Sequence, residues 1–240
     1  MTYSALVPVK ALALAKSRLA AHLSDRQREA LALDMFQHVL HTLCDSELFE
    51  QVYVVSADPR ILELAQEWDA EPLRETQPGH NSALQEAALT ILERAAWRHG
   101  LYSSWTRLTR QGIIRQMHNP KGMPQALSKF GLLTISADLP LISQTDIRAL
   151  IALAEQHKVV LAGSREGTGT NAVVMRPPLV LPYLFGPGSL PAYIQAARQH
   201  LIDYTLLPNA NLAFDIDTID DVRELERSHT AWSGAASLAI

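Results

Sequence analysis

The residues best suited to chemistry in this chain are three aspartates. Asp138 lies in Ser136-Ala137-Asp138-Leu139-Pro140, and Asp215 and Asp217 lie in Phe214-Asp215-Ile216-Asp217-Thr218. Each cluster follows an apolar stretch that reads as a buried strand, Leu132-Leu133-Thr134-Ile135 and Leu212-Ala213-Phe214 respectively. Carboxylates at the ends of apolar strands are costly unless a cation offsets them. Two such sites that converge make a cage for a hard divalent cation such as Mg²⁺, which prefers carboxylate oxygens and phosphates. That chemistry is phosphoryl or nucleotidyl transfer. The bland readings are a turn at Asp138-Leu139-Pro140 and a helix cap at Asp217; neither accounts for Asp215.

Other segments carry groups that suit a phosphorylated ligand. Lys10, Lys16 and Arg18 lie in one loop after a strand, Pro8-Val9-Lys10-Ala11-Leu12-Ala13-Leu14-Ala15-Lys16-Ser17-Arg18-Leu19. Such a loop can wrap a triphosphate and offset its charge, although surface lysines are ordinarily just solvated. It is neither a Walker A loop nor a Rossmann glycine fingerprint. Gly167-Thr168-Gly169-Thr170-Asn171 is either a hairpin turn or a phosphate- or carboxylate-binding loop. Gly186-Pro187-Gly188-Ser189 precedes a helix, where Ser189 is either the N-cap or part of an anion site. Asn81, after Gly79-His80, either caps a helix or hydrogen-bonds a base or ribose.

The elements that must position these groups alternate. Strands are expected at 5–9, 52–56, 132–136, 159–162 and 172–175. Helices are expected from the capping box Ser24-Asp25-Arg26-Gln27 to about Cys44, then over 61–68, 81–98, 143–156, 190–200 and 219–228. Alternation at these lengths implies βαβ units and a mostly parallel sheet, with ligands at the carboxyl ends of the strands. A single domain over 1–228 is expected. Residues 99–129 lack periodicity and read as an inserted segment, and 229–240 read as a small-residue tail.

Composition narrows the class. The 240 residues are 48% hydrophobic and 19% charged, an ordinary globular balance. A net charge of -4 gives no reason to expect nucleic acid or an anionic membrane as partner. No apolar run reaches the roughly 18 residues of a membrane span. Cys44 is the single cysteine, so no intramolecular disulfide and no zinc–cysteine cluster forms. The amino-terminal residues lack a secretory pattern, and a soluble cytoplasmic protein is the expectation.

These motifs, taken in order, resemble one family. Pro8-Val9-Lys10 with Ala15-Lys16-Ser17-Arg18-Leu19, Asp138-Leu139-Pro140, Gly167-Thr168-Gly169-Thr170-Asn171-Ala172, Gly186-Pro187-Gly188-Ser189 and Asp215-Ile216-Asp217-Thr218 are similar to the 2-phospho-L-lactate or phosphoenolpyruvate guanylyltransferases of coenzyme F420 biosynthesis. The resemblance spans about residues 6–225, apart from 99–129. It implies a three-layer α/β/α nucleotidyltransferase-like fold with a mostly parallel mixed sheet. It implies Mg²⁺ on Asp138, Asp215 and Asp217. It implies a phospho-acid (phosphoenolpyruvate, 2-phospho-L-lactate or 3-phosphoglycerate) against Lys10, Thr170, Gly186 and Ser189, and GTP nearer Lys16, Arg18 and Asn81. It further implies hand-over of the product to the transferase acting on the deazaflavin precursor Fo, and a homodimer. Two positions depart from the family's usual pattern: His80 stands where Leu is frequent, and Tyr193 where His is common. The rival readings are a sugar-phosphate or molybdenum-cofactor nucleotidyltransferase, which would carry a glycine-rich first loop, and a non-catalytic α/β binding domain.

Overall fold

A computed structural model describes residues 1–99 and 129–228. The expected insertion therefore lies almost wholly outside the described residues, and the expected tail entirely so. Seven strands form one sheet: β1 (Thr2–Val9), β2 (Gln51–Ser56), β3 (Glu71–Arg74), β4 (Phe130–Ile135), β5 (Val159–Gly163), β6 (Thr170–Met175) and β7 (Tyr204–Leu206). The spatial order is β3-β2-β1-β4-β6-β5-β7. All neighbours pair parallel except β6, which runs antiparallel to both β4 and β5. The hairpin between β5 and β6 therefore brings the amino end of β6 to the same rim as the carboxyl ends of the other strands.

Among the described residues the α-helices are α1 (Asp25–Cys44), α2 (Pro59–Glu67), α3 (His80–Arg98), α4 (Gln144–Ala154), α5 (Ser189–Gln199), α6 (Ala210–Ala213) and α7 (Ile219–Ser228). Nearly every residue of β1, β4 and β6 is buried, as expected for strands covered on both faces. One face packs Leu84, Ala88 and Ile91 of α3 and Tyr193 of α5 against Leu6, Leu132 and Val173. The other packs Phe36 and Val39 of α1, Ile61 of α2 and Ile147 of α4 against Val7, Leu133 and Val174. The capping box expected at Ser24 forms with Gln27, and a second forms between Ser143 and Asp146. No helix among the described residues is long and apolar enough to cross a membrane.

A third, smaller core sets the site. Leu19, Leu23, Leu31 and Met35 bury Phe214, Ile216, Val222 and Leu225. Each such side chain contributes roughly 1.5–3 kcal/mol on burial. Phe214 and Ile216 alternate with Asp215 and Asp217. Burying the first pair thus turns both carboxylates to the opposite side of an extended segment.

Candidate active site

The two aspartate clusters converge, but not by the route the sequence indicated. Residues 212–214 are not a strand: α6 covers 210–213, with Asn209 capping it by accepting the Leu212 amide at 2.9 Å. The chain then extends, and the Ile216 amide reaches the Asp138 carbonyl at 3.4 Å. Asp138 itself stands on the loop leaving β4, where the Ser136 amide bonds the Asn171 carbonyl at 2.8 Å. One carboxylate oxygen from each of Asp138, Asp215 and Asp217 falls within 4.8 Å of the others. Three half-exposed hard oxygens at that spacing fit a divalent cation.

The cage is held by its own neighbours. Lys16 buries its stem and donates through Nζ to Asp138 Oδ2 at 2.6 Å and to the Ile216 carbonyl at 2.5 Å. Its Nζ is also 3.9 Å from Asp217 Oδ1. Arg18 donates to Asp217 Oδ2 at 2.5 Å from an otherwise exposed position. Asn171 donates its side-chain amide to Asp215 Oδ1 at 3.1 Å and to the Leu212 carbonyl at 3.0 Å. Burial, the Asp138 charge and the Asp217 charge push the Asp215 carboxyl up to about 6, against the Asn171 hydrogen bond. A carboxyl strained in this way is relieved by a cation at the site.

The loop that delivers Lys16 is itself anchored. It folds as two 3₁₀ turns, Leu12–Leu14 and Ser17–Leu19, with Lys16 between them in a left-handed conformation at φ 50°. The Leu12 amide donates to Asp58 Oδ2 at 3.0 Å, and Arg28 donates to the Ala15 carbonyl at 2.9 Å. Asp58 also caps α2 through the Arg60 amide.

Asp217 does not cap α7. Thr218 does, accepting the Asp221 amide, while the Asp221 carboxylate accepts from the amides of Asp217 and Thr218 at 3.1 and 2.7 Å. The cap is a Thr-x-x-Asp box, which leaves the Asp217 carboxylate to the cage. Arg165 pairs with Asp221 and, at 2.9 Å, with Glu224. A cavity of about 260 Å³ in this region is lined by Arg165 and Glu224 and by none of the three aspartates.

Beside the cage, Ser189 Oγ donates to Thr170 Oγ1 at 3.1 Å, and both are buried. Ser189 is the first residue of α5, not its cap. Gly188 caps it in the left-handed region at φ 71°, and Gly186 sits at φ 125°, a conformation that side chains resist. The Tyr193 side chain is fully buried, and its hydroxyl accepts the Leu184 amide at 2.9 Å, so it supports the loop before α5. Asn81 does not cap α3 either; Gly79 does. Both ends of the Asn81 amide bond the Phe185 backbone, at 3.0 and 2.9 Å. Asn81 thus ties α3 to the Gly186 loop. Lys10 is exposed and lines a cleft with His80.

The structure therefore brings together Lys16, Arg18 and the three aspartates, sets Thr170, Gly186 and Ser189 on an adjoining wall, and places Lys10 in the neighbouring cleft. It adds Asn171, Asp58 and Asp221, whose work is orientation. The Thr218-x-x-Asp221 spacing was the readable signal for the last of these. The roles of Asn171 and Asp58 depend on long-range contacts.

The family model described as "Guanylyl transferase CofC like" matches residues 3–96 and 121–229, passing over 97–120. The phosphoenolpyruvate guanylyltransferase of Rubrobacter xylanophilus is 35% identical over 229 residues, 95% of each chain. The 3-phospho-D-glycerate guanylyltransferase of Colwellia psychrerythraea is 29% identical, covering 94% of this chain and 91% of its own. A putative nucleotide-diphospho-sugar transferase from Desulfovibrio desulfuricans has the same fold, with a TM-score of 0.70 at 14% identity over 99% and 94% of the two chains. The fold is thus of the α/β nucleotidyltransferase type expected, and this chain belongs to the CofC-like guanylyl transferase family.

Proposed function

We propose that this protein joins GTP to a small phosphorylated acid. The observation that carries the reading is the meeting of Asp138, Asp215 and Asp217 with Lys16 and Arg18, beside the Thr170–Ser189 pair. A phosphate oxygen of the acid attacks the α-phosphorus of GTP, and a new P–O bond forms. The bond from the α-phosphorus to the bridging oxygen breaks, and pyrophosphate leaves with that electron pair. A phosphate dianion is already a nucleophile, so no general base is required. Mg²⁺, held by the three aspartates, supplies charge neutralisation when bound.

The remaining work falls to the chain's own groups. Lys16 fixes the Asp138 carboxylate and places positive charge at the cage. Arg18, mostly exposed, can exchange Asp217 for a leaving phosphate. Thr170 and Ser189 offer hydroxyls, and the Gly186 loop backbone donors, to the acid. Lys10 adds charge from the adjoining cleft. The relatives differ in the acid their names carry, phosphoenolpyruvate in one and 3-phospho-D-glycerate in another. Within this reading the product passes to a transferase acting on Fo.

The test is pyrophosphate release from GTP and Mg²⁺ with phosphoenolpyruvate, 2-phospho-L-lactate or 3-phosphoglycerate in turn. The Fo transferase is added to draw the product away. Release with one acid well above the no-acid control is expected. No release with any of them would sink the reading.

A further inference from the structure

The rim above β1, β2 and β3 holds a cleft distinct from the cage. Val9, Val55 and Leu84 form apolar wall, and Lys10, Glu75 and His80 are its polar positions. Glu75 follows β3 directly. Its amide donates to the Ser56 carbonyl at 2.9 Å, which fixes it to the end of β2. The next residue is held as well, the Thr76 hydroxyl donating to Glu86 at 2.6 Å. Glu75 is half-buried on the cleft wall, and its carboxylate has no hydrogen-bond or ion-pair partner among the described residues. Both of its oxygens are therefore available to accept from a ligand's donors.

The cleft and the cage share their loops. Lys10 leaves β1 on the loop that carries Lys16 to Asp138, and the His80 ring packs edge-on to Phe185, just before Gly186, at 5.8 Å. A nucleotide whose phosphates meet the cage and Lys10 therefore has its base on the Glu75 side. A carboxylate presents two acceptors side by side. Guanine presents two adjacent donors, N1–H and the 2-amino group. Adenine and cytosine each set an acceptor beside a donor on that edge, and uracil flanks its one donor with acceptors.

We propose that Glu75 reads the base of the nucleotide, its two carboxylate oxygens accepting from guanine N1–H and the 2-amino group. The inference rests on the guanylyl-transfer reading and gives it a specificity determinant. The Asn81 amide, fully engaged by Phe185, is not needed for this task.

Equilibrium binding of GTP, ITP and XTP in the presence of Mg²⁺ tests it without requiring turnover. ITP lacks the 2-amino donor, and XTP carries an acceptor there. Wild-type protein should bind GTP at least about tenfold more tightly than ITP, the weight of one charge-assisted contact. Glu75→Gln keeps the shape but offers one acceptor and one donor, which match xanthine. Its preference for GTP over XTP should fall by at least about tenfold, with far-ultraviolet circular dichroism unchanged. Equal wild-type affinity for GTP and ITP would overturn the assignment even if the variant failed to fold. So would an unchanged GTP-to-XTP ratio in a folded Glu75→Gln. Pyrophosphate release measured alongside separates the two readings. Discrimination in binding with no release for any acid sinks the reaction and supports Glu75; release from GTP, ITP and XTP alike, unaltered by Glu75→Gln, sinks Glu75 alone.

Discussion

The two ends of the sheet's carboxyl rim are built on opposite plans. At the β4–β6 end each carboxylate already has an internal partner: Lys16 for Asp138, Arg18 for Asp217 and Asn171 for Asp215. At the β1–β3 end Lys10 and Glu75 have no hydrogen-bond or ion-pair partner among the described residues. Three like charges close together repel, so the cage must be braced before any ligand arrives. The cleft has no such repulsion to manage and can leave its polar groups for what binds there. Changes in the cage should therefore disturb catalysis and ion binding, whereas a change at Glu75 should disturb nucleotide choice.

The largest effect is expected at Asp138. Asp138→Asn removes a charge from the cage while keeping its shape. Turnover with GTP and the preferred acid should fall by at least about 10³-fold, a few kcal/mol of lost charge stabilisation. Circular dichroism should not change. A variant that kept more than a tenth of its activity would remove Asp138 from the metal site. Asn171→Ala comes next. It strips Asp215 of its 3.1 Å donor without touching β6 pairing through the backbone. Losing such an outer partner should lower divalent-ion affinity about 10- to 100-fold. Calorimetric titration with Mg²⁺ would show whether the brace matters.

The Asp215 carboxyl is raised from 3.8 to about 6, so the folded protein holds a proton there that the unfolded chain releases earlier. As pH rises from about 4 to 6, this group alone makes the ion-free protein less stable. Over the same window the cation competes with that proton. Apparent affinity should climb by up to about tenfold per pH unit below 6 and flatten above it. Titrations at pH 5, 6 and 7.5 that gave one affinity would show that Asp215 does not ligate. The smallest effect is at Asp58. Asp58→Ala removes the acceptor for the Leu12 amide and the cap of α2. Urea unfolding should show about 1–2 kcal/mol lost. The GTP-to-ITP ratio should stay unchanged, because the base side of the cleft does not depend on that loop.

Much of the scaffold was legible. The buried runs of β1, β2, β4, β5 and β6 and the Ser24–Gln27 box announce themselves through local chemistry. What escaped was short or non-local. β3 has four residues with Pro72 among them, and β7 has three; both take their strand form from a neighbour. Leu212-Ala213-Phe214 is too short for period to separate helix from strand, and the deciding cap is Asn209. The three aspartates were readable because cost and pattern coincide there. Asn81 was not: its partner is the backbone of Phe185, far along the chain, and no spacing in the sequence announces that contact.

The amide of Ile216 bonded to the carbonyl of Asp138 has a consequence for biosynthesis. A ribosome that has released everything through β7 has made every strand of the sheet, yet only one of the three acidic side chains. The three carboxylates meet only once Phe214 and Ile216 are buried against Leu31 and Met35 of α1. A chain cut off just before Asp215 would keep all seven of these strands and lack two of the three carboxylates.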